Sequence, residues 1–207
     1  MKQMMNKFSI LACALMIGAV TLTAFGQDRQ AMYPKAAFDA AQAKTALAKG
    51  SSNIKGRACT IKDGLIFNAA NVRISLFPVT PYFEEWYKLR KKEEDRNTAV
   101  YMSDEAGKYR IDVVTDSEGR FQFTEMKTGK YFLQGVFSFN QAKSKVIYTG
   151  SDEYTDYYRR ENYAIPRSDR LEKTVEVKKG GDVVKITMSK GARLGKYLKF
   201  GGACSTW

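Results

Sequence analysis

The stretch 115–139, TDSEGRFQFTEMKTGKYFLQGVFSF, constrains the fold more than any other part of the chain. Phe121 and Phe123 alternate with Arg120, Gln122 and Thr124, so one face is apolar and the other polar, the period of a half-buried strand. Tyr131, Leu133, Phe137 and Phe139 continue the pattern. Asp116-Ser117-Glu118-Gly119 and Lys127-Thr128-Gly129 punctuate it as turns, where glycine supplies backbone angles that other residues resist. Consecutive short strands joined by tight turns predict an antiparallel β layer.

The rest of the chain extends this reading. IKGRACT (54–60), NVRISLF (71–77), YRIDVVT (109–115), and the segments 171–177 and 183–188 all read as strands, the last two flanking a Lys-Gly-Gly-Asp hairpin signal. Segment 143–149 is expected as an extra hairpin arm. No strand–helix alternation is present, so the prediction is all-β: a seven-stranded antiparallel β-sandwich. One helix is expected before it and one inside it. Segment 34–49 is alanine-rich, with Pro34 suited to a first turn and Gly50 to a stop. In YFEEWYKLRKKEEDR (82–96), Tyr82, Phe83, Trp86 and Leu89 recur at helical spacing, and Glu84 and Lys88 stand at i,i+4. This second helix belongs to an insertion at 81–108, and its aromatics read as packing.

The first residues read as an export leader. Lys2 and Lys7 precede an apolar run, and Ala24 and Gly26 place small residues where cleavage before Gln27 is expected. Residues 1–26 are therefore a signal peptide, 27–53 a helical N-terminal segment, 54–190 the sandwich and 191–207 a basic, Gly-rich tail. Cleavage takes two lysines and no acid from a net charge of +12, leaving +10. An exported product then retains Cys59 and Cys204, whose even number predicts one disulfide. Closing so long a loop contributes about 4–5 kcal/mol in the chain-entropy account.

The pieces IKGRACT, DGLIFNAANVRISLFP, TDSEGRFQFTEMKTGKYFLQG and VEVKKGGDVVKITM resemble the carboxypeptidase regulatory-like family. The resemblance covers residues 54–190 apart from the insertion. It implies a transthyretin-like, Ig-like sandwich serving as an exported or surface accessory module, with no shared active site.

The chain has no histidine. That removes Ser-His-Asp and Cys-His nucleophile systems and His-based zinc sites. It also separates the chain from transthyretin-like hydrolases and intradiol dioxygenases, which depend on histidines. Asp116 and Glu118, and Asp152, Glu153 and Asp156, are acidic groups without calcium-loop spacing and read as turn and loop residues. No catalytic residue, metal or cofactor is expected. The candidate binding surface is a tyrosine-rich loop at 150–170, with Tyr154, Tyr157, Tyr158, Arg159, Arg160 and Tyr163, since exposed aromatics offer stacking area. The expected function is a non-catalytic structural or binding module of the periplasm, cell surface or extracellular space. Its expected partners are envelope carbohydrate, an anionic surface or another envelope protein. Nucleic acid is not expected, nor membrane integration after leader removal. Two alternatives are a histidine-independent hydrolase of envelope carbohydrate and a self-assembling envelope subunit.

Overall fold

A computed structural model describes residues 29–190 and Cys204. The leader, the cleavage pair Gly26 and Gln27, and the basic tail apart from Cys204 lie outside the described residues. Among the described residues the chain is mostly β. Two sheets pack face to face over one apolar core.

The first sheet is built around β2 (Ser52–Lys62). It pairs antiparallel with β3 (Leu65–Asn68) and with β7 (Arg120–Met126), and parallel with β10 (Val183–Lys190). The second sheet has the order β6 (Ile111–Val114), β4 (Arg73–Pro78), β8 (Gly129–Ser151), β9 (Asp156–Val177), all antiparallel. Ile54, Phe121, Phe123 and Met188 from one sheet meet Ile74, Leu76, Leu133, Phe137 and Leu171 from the other. The inward set is the one that period-two alternation marks in the sequence. Gly56 lies under the Phe121 ring, in space that a side chain would occupy. Gly119 turns at φ +75° against the Ala58 carbonyl, a position closed to other residues twice over.

The sandwich differs from the seven-stranded expectation in two ways. Its two sheets hold eight strands among the described residues, because LIFN after the Asp63-Gly64 turn forms β3. The β10–β2 pairing is parallel, so the sandwich is not wholly antiparallel.

The insertion carries α2 (Pro81–Glu93), then β5 (Thr98–Val100) and α3 (Asp104–Lys108). The Thr80 hydroxyl accepts from the Phe83 amide, and Pro81 occupies the first turn, so the helix starts where its chemistry dictates. Tyr82, Phe83, Trp86 and Arg90 form its buried stripe. They cover the outer face of β8, where Phe132 points away from the core. Arg90 lies over the Trp86 ring at 4.4 Å and donates to Gln134 Oε1 (2.9 Å) and Glu172 Oε1 (2.5 Å). The expected Glu84–Lys88 pair does not form; the i,i+4 ion pair of this helix is Arg90–Glu94. β1 (Gln30–Met32) adds a parallel partner to β5.

The N-terminal helix, expected over 34–49, is α1 (Ala40–Ala46). Asp39 caps it by accepting from the Gln42 amide, and the preceding amides of Lys35 and Ala36 donate instead to the Glu85 carboxylate. The Asp39 cap sets the start at Ala40, and the stretch before it is pinned to α2 through Glu85.

At the far end of the core, Asp169 is 5% exposed. It accepts from Thr60 Oγ1 (2.6 Å) and pairs with Lys190 Nζ (3.2 Å). Burial pushes its carboxyl up, but the Thr60 hydroxyl and the Lys190 and Lys62 ammoniums outweigh this and hold it below its ordinary value. A depressed carboxylate stabilises the fold above its unfolded pKa, and that stability is lost as pH falls through the folded value. Asp169→Asn is therefore expected to cost about 1–2 kcal/mol at pH 7. Urea denaturation at pH 7 and pH 3 should show the difference from the parent shrinking in acid; a constant difference would contradict the assignment.

Candidate functional site

The tyrosine-rich segment expected as a loop is a strand. β9 runs without a break through 156–177 and pairs with β8 along almost its whole length, making a hairpin arm that extends beyond the sandwich. Aromatic residues favour this pleated surface. Pro166, which marks a loop in sequence, sits in the edge strand of the sheet, where a missing amide donor is tolerated.

Asp152 builds the turn at the tip. Its side chain accepts from the amides of Tyr154 and Thr155 and from the Tyr157 hydroxyl. The Tyr157 bond is the main cause holding Asp152 below the usual carboxylate range, and it lifts the phenol above its own. Near the arm's base, Asp63 braces it by accepting from Gln141 Nε2 (2.7 Å) and from Lys143. Arg167 adds a bond to Gln141 Oε1 (3.2 Å).

The ladder distributes the candidate residues. Tyr158 stands opposite Tyr148, their rings 5.6 Å apart and edge-to-face, with the Val146–Arg160 rung beside them. Strand alternation places Tyr157, Arg159 and Tyr163 on the other face, which also carries the Lys145–Glu161 ion pair (3.0 Å). Tyr154 is at the tip and 88% exposed. The structure therefore divides the candidate residues between two faces and the turn. It adds Tyr148 and Val146, whose signal was the alternation in KVIY once that segment is paired with 158–160. Seven tyrosines are exposed among the described residues, and five of them, at 148, 154, 157, 158 and 163, lie on this arm. Exposed tyrosines thus concentrate on the arm, on both of its faces and at its tip.

A second surface lies beside α2. A groove of about 350 Å³ runs between the helix and the outer face of β8 and β9, with Phe83, Tyr87 and Phe132 inside and Glu84, Lys88 and Lys130 among its other residues. Two further grooves flank α2. One, of about 310 Å³, includes Arg29, Arg90, Arg170, Glu94 and Tyr101; the other, of about 530 Å³, includes Lys91, Arg170, Glu172 and Lys190. Each of the three brings a single carboxylate.

Of the first acidic pair, Asp116 serves the backbone and Glu118 pairs with Arg120 at 3.6 Å. The Asp116 carboxylate accepts from the amides of Glu118 and Arg120 and pairs with Arg120 Nε at 2.7 Å, which holds its carboxyl below its ordinary value. No group of three or more potential metal-ligating side chains occurs among the described residues. No helix among them is long and apolar enough to cross a membrane. Cys59 of β2 is bonded to Cys204, with Cα atoms 6.3 Å apart, so the tail is tied to the central strand of the first sheet.

No protein-family model matches the chain. No curated protein sequence matches it. Among solved structures it is similar to one from Pseudomonas aeruginosa described as "a putative carbohydrate binding protein", at 19% identity and a TM-score of 0.54. The likeness covers 75% of this chain and 99% of that one, and at this identity it speaks to the fold.

Proposed function

We propose that this chain is a non-catalytic carbohydrate-binding module, exported to the periplasm or cell surface, built on an Ig-like sandwich of the carboxypeptidase regulatory-like kind. The observation that carries the reading is the arm: five exposed tyrosines on one projecting hairpin. Exposed aromatic area concentrated in one place marks a contact surface. A tyrosine ring offers a flat apolar face and a hydroxyl at low conformational cost, which matches the apolar C–H face and hydroxyl rim of a sugar. The description of the Pseudomonas aeruginosa neighbour supports the same ligand class.

The hydrolase reading lacks such support. Glycoside hydrolysis uses a pair of carboxylates across the bond, and the three grooves around α2 each supply one. Self-assembly has one observation in its favour: β9 is a 22-residue edge strand whose outer backbone is unpaired among the described residues.

The test is a glycan array with the processed protein, followed by titration of any hit against Tyr148→Ala/Tyr158→Ala. Loss of two stacking rings is expected to weaken binding by roughly ten- to a hundredfold, about 1–3 kcal/mol in all. A blank array with a multimeric mass by light scattering would favour the assembly reading instead.

A further inference from the structure

The groove beside α2 is floored by three aromatic rings. Phe132 lies 5.1 Å from both Phe83 and Tyr87, ring centre to ring centre. Phe132 and Phe83 are almost wholly buried, and Tyr87 is half-buried. The volume of about 350 Å³ falls at the small end of the range of roughly 300–1,000 Å³ typical of ligand sites.

Charge is what sets this groove apart from a packing defect. Lys88, on the exposed side of α2, and Lys130, at the start of β8, both line it and are both exposed. Among the described residues neither takes part in an ion pair, although most other charged side chains around α2 do. Lys91 lies outside this groove, 5.2 Å from the Tyr87 ring centre, and pairs with Glu172 at 3.5 Å. On the acidic side, Glu84 lines the groove and is also unpaired, and Glu176 faces Lys130 across the ladder without an ion pair. Thr174 stands across from Phe132 and supplies a hydroxyl.

We propose that this groove binds a carboxylated sugar unit, with the carboxylate between Lys88 and Lys130. The sugar's C–H face lies on Tyr87, the one of the three rings with exposed area, while Phe132 and Phe83 back it from below, and Glu84 and Thr174 take hydroxyls. Unpaired ammoniums above an apolar floor favour an anion that also has an apolar face, which a uronate has and a bare phosphate lacks. The choice of a sugar rests on the carbohydrate reading of the chain; the anionic preference and the place are independent of it.

The experiment uses trigalacturonate and its methyl ester, which has the same shape without the charge, in calorimetric titrations of the disulfide-bonded protein. The acid form is expected to bind at least tenfold more tightly than the ester. Lys88→Gln/Lys130→Gln should abolish that difference, and raising salt from 0.05 to 0.5 M should weaken the acid form more than the ester. Equal binding of acid and ester, no binding of the acid, or full retention by the lysine variant would each overturn the proposal. A loss confined to Tyr148→Ala/Tyr158→Ala would also overturn it while keeping the arm as the carbohydrate surface. A blank array of neutral and acidic glycans alike would instead remove the carbohydrate reading itself.

Discussion

Replacing Phe132 with alanine is expected to lower stability by about 3–5 kcal/mol, the largest effect of any single substitution considered for this chain. The reason is local. In an ordinary sandwich strand one face meets the core and the other meets water. Here Tyr131, Phe132 and Leu133 are all buried, because α2 covers the outer face. Phe132 is the residue on which that cover closes: its ring meets Phe83, Trp86 and Tyr87. Alanine would remove the ring's burial and leave a hole that the strand backbone and the helix cannot both move to fill. Val136, on the same face of β8 but 55% exposed beyond the helix, is the control. Val136→Ala should change stability by no more than about 0.5 kcal/mol. Urea denaturation followed by circular dichroism measures both, and a Phe132→Ala loss below about 1.5 kcal/mol would show that α2 is not held by this ring.

Removing the disulfide is the second large change. The bond closes 145 residues of sequence separation, so it restricts the unfolded chain strongly. In the chain-entropy account this amounts to about 5 kcal/mol, and native disulfides of small exported domains typically contribute about 2–5. Cys59→Ala/Cys204→Ala should therefore lose about 3–5 kcal/mol. The loss should come mainly through the unfolded state, since Cys59 is itself a small buried residue for which alanine substitutes with little repacking. Reductant should destabilise the parent by a similar amount and leave the variant unchanged. If reductant moved both equally, the bond would not be the cause.

Much of the sandwich was legible because period-two alternation is a physical consequence of one-sided burial. Val72, Ile74 and Leu76 faced inward as the pattern required, and Phe121 and Phe123 did the same. What failed to show was whatever depended on a second element. α1 starts at the Asp39 cap and not at Pro34, and nothing near 35 or 36 in sequence announces that Glu85 pins the stretch before it. β3 is four residues long, too short for alternation to register. Segment 143–149 was expected as a separate hairpin arm, but it continues β8 without a turn and pairs with the segment read as a loop; that partner was hidden by Pro166 and by its length, since strands usually run to about 5–6 residues.

The candidate surface was half visible. Tyr154, Tyr157, Tyr158 and Tyr163 stood out by composition, but their division between two faces follows from the β8–β9 register. Tyr148 came in only as the partner of Tyr158. The groove beside α2 did leave a trace that could be read. Phe77 and Phe132 are large apolar residues on the polar phase of their strands, and Phe83 and Trp86 form an apolar helical stripe nearby. An outward aromatic on a strand and an unmatched apolar helix face are complementary surfaces, and here they meet, with Phe77 5.9 Å from Phe83.

The central claim is that the tyrosine arm is a carbohydrate-binding surface. The most direct test is a side-by-side titration of the protein and its Tyr148→Ala/Tyr158→Ala variant with an oligosaccharide found on an array. The account predicts saturable binding by the parent, a loss of at least tenfold in the variant, and an unchanged urea midpoint, because both rings are exposed. Equal binding by parent and variant would contradict it.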